Sequence, residues 1–144
     1  MKSHKLYFAY GANTNPHDMK IRCPDAQAIG KFTLRNHTLV FRAVADIEFS
    51  VDKSVTGMLW AITDDCEQSL DIFEGYPRFY IKSYFDILYR KEIAPVMFYQ
   101  MNQRSWYEPP GYYYEACLRE GYSHWNIDHS QLDCAIEHAR TVSV

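Results

Sequence analysis

The sequence has no excess of charge of either sign. Lysine and arginine together number 15 and aspartate and glutamate 18, so the formal net charge of the 144 residues is −3. Proteins that bind nucleic acids or membrane surfaces concentrate basic residues in clusters, and this sequence contains no such cluster. We therefore expect neither kind of partner and favour a small neutral or zwitterionic ligand.

Long hydrophobic runs are also missing. The longest apolar stretches, such as residues 93–99, fall far short of the ~20 residues that cross a bilayer. The opening residues, Met1 to His4, lead directly into a short apolar segment, without the longer hydrophobic core of a secretory signal. We expect a cytoplasmic protein that does not cross a membrane.

Closely spaced cysteines are absent. The four cysteines, at positions 23, 66, 117 and 134, form neither a zinc knuckle nor a redox dithiol, and we expect free thiols in a reducing compartment. One group resembles a metal site, because Cys134 and His138 lie one helical turn apart with His129 and Asp133 nearby. Cysteine and histidine are common on amphipathic helices, so we interpret this group as packing with a solvated edge and expect no metal.

Clustered glycines are absent as well. The six glycines, at positions 11, 30, 57, 75, 111 and 121, never group into a dinucleotide fingerprint or a phosphate-binding loop. The sequence contains neither a serine nucleophile elbow nor a His-Glu-x-x-His zinc motif. Two features remain as candidates for a catalytic role. They are the strand end that Gly11 interrupts and Glu74, an acid among aromatic residues.

The sequence does supply ample material for a core, since 47% of its residues are hydrophobic and 16% are aromatic. Short apolar segments alternate with turn residues, without repeats or a linker, which predicts one domain over residues 1–144. Strands are predicted at 6–10, 28–34, 38–42, 55–62, 80–89 and 94–99, and helices at 16–22, 63–74, 112–120 and 131–140. Residues 45–53 are interpreted as a loop or a ragged hairpin.

Strands outnumber the helices in this pattern, and the helices are short. The prediction is therefore an α+β domain, whose mixed sheet curls or closes into a small β-barrel with short helices on its outside. A helical C-terminal tail is predicted at about 110–144. A doubly wound parallel sheet would need more helical crossovers than the sequence provides.

Glu74 stands at the end of a predicted helix, directly before Gly75. The negative end of the helix dipole disfavours a carboxylate, and the neighbouring Phe73, Tyr76 and Phe79 can exclude its water. Both effects would raise the pKa of Glu74 toward the range useful for proton transfer. The alternative is an ordinary solvated acid at a helix end, and physical arguments alone leave both interpretations open.

Two segments resemble motifs of the gamma-glutamylcyclotransferase-like family. Tyr7-Phe8-Ala9-Tyr10-Gly11-Ala12-Asn13 is similar to its signature loop, Tyr-Gly-Ser-Asn after a buried strand, with Ala12 in place of the usual serine. Leu70-Asp71, Glu74-Gly75, Pro77 and Tyr80 resemble the segment that carries the family's catalytic glutamate. The resemblance covers nearly the whole chain and includes Arg22, Gly30, Gly57, Trp60, residues 96–99, Pro110, Tyr114, Gly121 and Asn126.

This resemblance implies an enzyme that cyclises a small gamma-glutamyl substrate. The substrate's own α-amine attacks its side-chain carbonyl, which releases 5-oxoproline and a free amine or amino acid, so no cofactor or metal is required. Glu74 is the implied general base and then general acid, and backbone amides of the signature loop would stabilise the oxyanion. The implied substrate-binding residues are Tyr7, Tyr10, Gly11, Ala12, Asn13, Tyr80, Tyr99 and Tyr114.

Two alternatives remain at this point. The leaving group is either an amino acid, as in a gamma-glutamyl peptide, or an amine. A different class of function is a non-catalytic binding or sensor protein that uses the same cavity for a small metabolite. The presence of Glu74 favours the enzyme, because a binding protein gains nothing from a desolvated acid.

Overall fold

The computed structural model describes residues 4–142, which form five strands and four α-helices. The strands are β1 (Lys5–Ala9), β2 (Gln27–Arg42), β3 (Val44–Ile62), β4 (Tyr80–Tyr89) and β5 (Glu92–Met101). The helices are α1 (Pro16–Arg22), α2 (Asp64–Glu74), α3 (Tyr112–His124) and α4 (Ser130–Val142), and a 3-10 turn at Ala12–Thr14 connects β1 to α1. Over residues 4–142, no helix combines the length and the apolar character that a membrane span needs.

The five strands form one mixed sheet in the order β2-β3-β1-β5-β4. Its central strand, β1, is antiparallel to β3 and parallel to β5, and the remaining pairs are antiparallel. A central position leaves little of β1 in water, which explains its continuous apolar sequence and the complete burial of Phe8. The sheet curls and carries helices, so the predicted α+β class is confirmed.

Local capping signals fix the helices on either side of the site. The Asn15 side chain accepts from the amide of His17 at 3.0 Å and Pro16 opens α1. The Thr63 hydroxyl accepts from the amide of Cys66 at 3.2 Å, and Gly75, at φ 64°, ends α2 directly after Glu74. The predicted helices 16–22 and 63–74 are confirmed to within one residue.

The hairpin of β2 and β3 differs from its prediction. The two strands expected at 28–34 and 38–42 are one strand with register shifts, and residues 45–53, expected as a loop or a ragged hairpin, form part of the second arm of this hairpin, within β3. These residues pair with the second half of β2, as in Val40 opposite Asp46. Burial changes along this stretch, from fully buried at residues 45–47 to exposed at residues 51–53, so no single burial pattern marks it as a strand.

Helix α3 extends four residues beyond its predicted end, to His124, and passes through Gly121. Gly121 was expected in the connection to the last helix, but it lies buried where α3 crosses the 3-10 turn. A Cβ there would lie 2.7 Å from Thr14 Oγ1 and 2.8 Å from the Asn15 nitrogen. The glycine is therefore a packing residue, and its position brings the beginning of the helical tail close to the signature loop.

The prediction that all four cysteines are free thiols is wrong for one pair. Cys23 and Cys66 form a disulfide between the end of α1 and the start of α2, with their Cα atoms 4.9 Å apart. Their separation of 43 positions made the pairing invisible in the sequence. Cys117 and Cys134 are free, as expected.

Gly57 provides a test of how closely β1 packs against β3. A Cβ at Gly57 would lie 2.2 Å from the carbonyl oxygen of Ala9 and 3.0 Å from the Phe8 ring. Because the nearer atom belongs to the central strand's backbone, Gly57→Ala should lower the free energy of unfolding by about 3 kcal/mol in a denaturant titration. Gly111→Ala is the matched control, since no atom lies within 4 Å of its added Cβ. Equal stability of the two variants would contradict this packing.

Candidate active site

The predicted site residues surround one cavity of about 120 Å³. Glu74 and all eight expected substrate-binding residues line it, although they come from distant parts of the chain. The complete lining is Tyr7, Phe8, Tyr10, Gly11, Ala12, Asn13, Val44, Ala45, Phe73, Glu74, Phe79, Tyr80, Tyr99 and Tyr114. Aromatic rings dominate this lining, and Glu74 is its one acid.

Parts of the fold that are distant in sequence contribute to the cavity. The central strand β1 and the 3-10 turn supply the signature loop, and the beginning of β3 supplies Val44 and Ala45. The end of α2 and the turn into β4 supply Glu74 between Phe73 and Phe79, while β5 and the first turn of α3 each contribute a tyrosine. The two motifs meet because β1 lies in the middle of the sheet and α2 follows its antiparallel neighbour.

Glu74 is a carboxylate held away from water. The residue is partly buried, and its carboxylate has no hydrogen-bond partner anywhere in residues 4–142. Desolvation raises the pKa of Glu74 from its ordinary value of 4.5 to about 7, against the opposing effect of the positive charge on Arg22. Near neutral pH both protonation states are therefore populated, which suits a group that must accept a proton and then return it.

Three of the five tyrosine hydroxyls have their hydrogens engaged away from the cavity. Tyr10 donates to the carbonyl oxygen of Tyr99 at 2.6 Å, and Tyr80 donates to the carbonyl oxygen of Ala45 at 2.6 Å. Tyr99 donates to a carboxylate oxygen of Asp71 at 2.6 Å. These side chains shape the cavity with their rings, while their hydroxyl groups tie its walls to the surrounding structure.

Tyr7 and Tyr114 differ, because their hydroxyl oxygens accept hydrogen bonds. The Tyr7 oxygen accepts from Asn13 Nδ2 at 3.0 Å, and the Tyr114 oxygen accepts from the amide of Ala45 at 3.0 Å. Neither hydroxyl hydrogen has an acceptor among the described residues. Burial raises the pKa of both tyrosines, so each retains its hydrogen and can donate it to a ligand in the cavity.

The signature loop lines the same space with Gly11, Ala12 and Asn13. Ala12 and Asn13 open the 3-10 turn, and the first amides of a helical turn have no acceptor within it. Gly11 has no side chain between this turn and the opposite wall, where an added Cβ would lie 3.1 Å from Ala45 Cβ and 3.2 Å from Tyr114 Oη. The loop therefore combines free donors with the room for a small oxygen-bearing group.

Sequence reasoning missed part of this site. Val44 and Ala45 lie at the beginning of β3, and Ala45 acts through its backbone groups, which leave no trace in residue type. Phe73 and Phe79 flank Glu74 as expected, but Tyr76 does not line the cavity. Its ring centre lies 4.4 Å from the ammonium of Lys82, and the residue is exposed.

The residues considered as a metal-like group have other partners. Asp133 accepts from Arg119 Nη2 at 2.7 Å, and a ring nitrogen of His129 lies 3.2 Å from Arg119 Nη1. The His138 ring packs against Tyr107, and Cys134 is exposed. Within residues 4–142, no three His, Cys, Asp or Glu side chains are grouped as a metal site.

Comparison of the sequence with known families gives one assignment. A family model described as "Gamma-glutamyl cyclotransferase, AIG2-like" matches residues 7–121, which is well over half of the chain. The matched range contains both sequence motifs and every residue that lines the cavity. No curated protein matches the sequence.

Solved structures share the fold at low sequence identity. A protein titled "Gamma-glutamyl cyclotransferase" matches with a TM-score of 0.76 and 22% identity over 98% of this chain and 89% of its own. An uncharacterised protein from Homo sapiens gives 0.75 and 22% over 99% and 89%. YkqA from Bacillus subtilis gives 0.77 and 17% over 99% of this chain, but only 56% of its own length is covered.

The environment of Glu74 should be visible in the pH dependence of stability. Its pKa is about 7 in the folded chain and about 4.5 when solvated, so the folded state loses stability as the pH rises from 4.5 through 7. Glu74→Gln removes this cost. We expect its free energy of unfolding to exceed that of the wild type by up to about 3 kcal/mol at pH 8.5 and to match it at pH 4.

Chemical denaturation at the two pH values measures this difference. Glu137→Gln, on the exposed side of α4, is the control and should change stability little at either pH. A stability difference for Glu74→Gln that is the same at pH 4 and pH 8.5 would show that Glu74 is solvated.

Proposed function

This chain belongs to the gamma-glutamyl cyclotransferase, AIG2-like family, and we propose that it cyclises the gamma-glutamyl group of a small peptide or amine. The products are 5-oxoproline and a free amino acid or amine. The observation that carries the proposal is Glu74, a carboxylate without a partner among the described residues, in an aromatic cavity beside a loop with free amides.

The reaction joins two groups of one substrate molecule. The α-nitrogen forms a bond to the γ-carbonyl carbon, the bond from that carbon to the leaving nitrogen breaks, and no water is consumed. The protein must hold the substrate in a folded conformation, because a tethered nucleophile reacts rapidly once it is aligned. A cavity of about 120 Å³ lined by rings supports such a compact conformation and excludes bulk water.

Glu74 is proposed to transfer a proton in two steps of this reaction, first as a base and then as an acid. As a carboxylate it removes a proton from the substrate's α-ammonium, which frees the nitrogen lone pair for attack. As a carboxylic acid it gives that proton to the leaving nitrogen, and the carboxylate is restored. The second proton that the α-nitrogen loses on becoming the lactam amide also ends on the leaving group, which departs as an ammonium. A pKa of about 7 supports both steps, because neither protonation state is strongly favoured near neutral pH.

The developing negative charge falls on the γ-carbonyl oxygen. Amides of Ala12 and Asn13 at the start of the 3-10 turn are the donors proposed for this oxygen, and Gly11 leaves the space for its approach. The free hydroxyl hydrogens of Tyr7 and Tyr114 are the further donors proposed for substrate oxygens. Tyr10, Tyr80 and Tyr99 contact the substrate through their rings in this proposal.

Replacing Glu74 should separate catalysis from binding. Glu74→Gln preserves the shape of the side chain but cannot carry a proton, so we expect release of 5-oxoproline to fall by about 10²- to 10⁴-fold. In the wild type, kcat/KM should rise with pH through about 7 as Glu74 ionises, and the variant should lose this dependence. The measurement is 5-oxoproline formation from a panel of gamma-glutamyl peptides and amines.

Calorimetric binding of the same panel and the Glu137→Gln control complete the test. Glu74→Gln should bind ligands about as well as the wild type, and Glu137→Gln should turn over normally. Near-normal turnover by Glu74→Gln would contradict the mechanism. A wild-type protein that binds gamma-glutamyl compounds without releasing 5-oxoproline would instead identify a non-catalytic binding protein.

Two substitutions in the signature loop test the oxyanion site. Ala12→Ser keeps every backbone amide and should retain activity. Gly11→Val places a branched side chain against Ala45 and Tyr114, where a Cβ alone comes within 3.1–3.2 Å, so we expect kcat to fall by roughly 10²- to 10³-fold. Turnover, KM and melting temperature of both variants decide the question. Normal turnover by a folded Gly11→Val protein would place the oxyanion elsewhere.

A further inference from the structure

Arg22 lies outside the cavity but contacts both motifs that form it. It is the last residue of α1, and its Nη1 donates to the side-chain oxygen of Asn13 at 2.9 Å. The centre of its guanidinium also lies 3.5 Å above the ring of Phe73, the residue before Glu74. One side chain therefore connects the signature loop to the end of α2.

The contact with Asn13 fixes the direction of a hydrogen-bond chain. A guanidinium only donates, so the oxygen of the Asn13 amide must face Arg22 and its nitrogen must face the other way. That nitrogen donates to the hydroxyl oxygen of Tyr7 at 3.0 Å. Since the Tyr7 oxygen accepts this bond, its own hydrogen is left for an acceptor in the cavity. The direction of the chain thus runs from Arg22 through Asn13 to the Tyr7 hydroxyl.

The contact with Phe73 acts on the other motif. A cation stacked on an aromatic ring stabilises the pair, and here it holds the last turn of α2 against α1. The same positive charge favours the ionised form of Glu74 and opposes the effect of burial on its pKa. The other titratable groups that face Glu74 are the tyrosines at positions 7, 10, 80, 99 and 114.

We propose that Arg22 is a positioning residue for the cyclisation. It orients the Asn13 amide so that the Tyr7 hydroxyl donates into the cavity, and it holds Phe73 and Glu74 beside the signature loop. This role rests on the proposed function, because it assigns Arg22 to the same site and the same reaction. Arg22 itself does not touch the substrate, since it does not line the cavity.

Three variants test the role. Arg22→Met retains an apolar stem over Phe73 but has no donor and no charge, and we expect kcat to fall roughly 10- to 100-fold with a smaller change in KM. Arg22→Lys restores a donor and a charge and should recover part of the loss. Asn13→Asp retains Arg22, but its carboxylate accepts from the Tyr7 hydroxyl and withdraws that hydrogen from the cavity, so kcat should fall similarly.

A second measurement does not depend on turnover. The titration of Glu74, followed by NMR of its labelled side-chain carboxyl carbon, should show a pKa above about 7 in Arg22→Met. Arg140→Met, which removes the same charge from an exposed position on α4, is the control and should leave both the titration and kcat unchanged. If Arg22→Met does not fold, Arg22→Lys and Asn13→Asp provide the kinetic test.

The outcomes separate this proposal from the proposed function. A wild-type protein that cyclises no gamma-glutamyl compound would end the proposed function, and Arg22 would then have no reaction to serve, although the Glu74 titration would still report its charge effect. A wild-type protein that is active, with Arg22→Met within twofold of its kcat and an unchanged Glu74 titration, would overturn the role of Arg22 alone. A kcat loss that follows only from a lower melting temperature would also overturn it.

Discussion

The site depends on holding one carboxylate out of water without giving it a partner. A desolvated carboxylate is unfavourable, and proteins usually relieve it with a hydrogen bond or an ion pair. Three tyrosines of the cavity wall do not give Glu74 such a hydrogen bond, because Tyr10, Tyr80 and Tyr99 donate their hydrogens to other acceptors. Had these hydroxyls faced the carboxylate, its pKa would fall and its basicity with it.

The walls of the cavity keep this arrangement because a buried cluster of charged residues fixes the backbone of Ala45. The carbonyl oxygen of Ala45 accepts from the Tyr80 hydroxyl, and its amide donates to the Tyr114 oxygen. Directly after Ala45, the carboxylate of Asp46 accepts from Arg42 Nε at 3.0 Å and from the amide of Met101 at 3.0 Å. Both charged side chains are completely buried. Arg42 also pairs with Glu48 at 2.8 Å, and Asp46 also pairs with Arg104 at 3.6 Å. This network of paired charges, together with the Met101 amide, holds the beginning of β3 against the end of β5.

Features that depend on interactions between neighbouring residues could be predicted from the sequence, whereas features that depend on contacts between distant residues could not. Helices α1 and α2 were predictable because Asn15, Thr63 and Gly75 act on neighbouring amides and carbonyls. The continuous β2–β3 hairpin was not, since its paired residues, such as His37 and Phe49, are distant in sequence, and the middle of the hairpin, at residues 35–36 and 51–53, is exposed. The site residues followed from resemblance to family motifs, but the direction of each tyrosine hydrogen bond depends on tertiary partners that no local pattern encodes.

The fold alone does not select the leaving group, because relatives that share it are only 22% identical or less. In the proposed mechanism, however, the leaving nitrogen must come within hydrogen-bond distance of Glu74 to receive its proton. Phe73 and Phe79 flank Glu74 and are 45% and 49% exposed, so they lie where the cavity meets solvent. In this mechanism a folded glutamyl group would largely fill the cavity of about 120 Å³, and the remainder of the substrate would extend past these two rings. The proposed mechanism therefore assigns discrimination between leaving groups to the α2–β4 turn, a segment separate from the loop that would bind the reacting carbonyl.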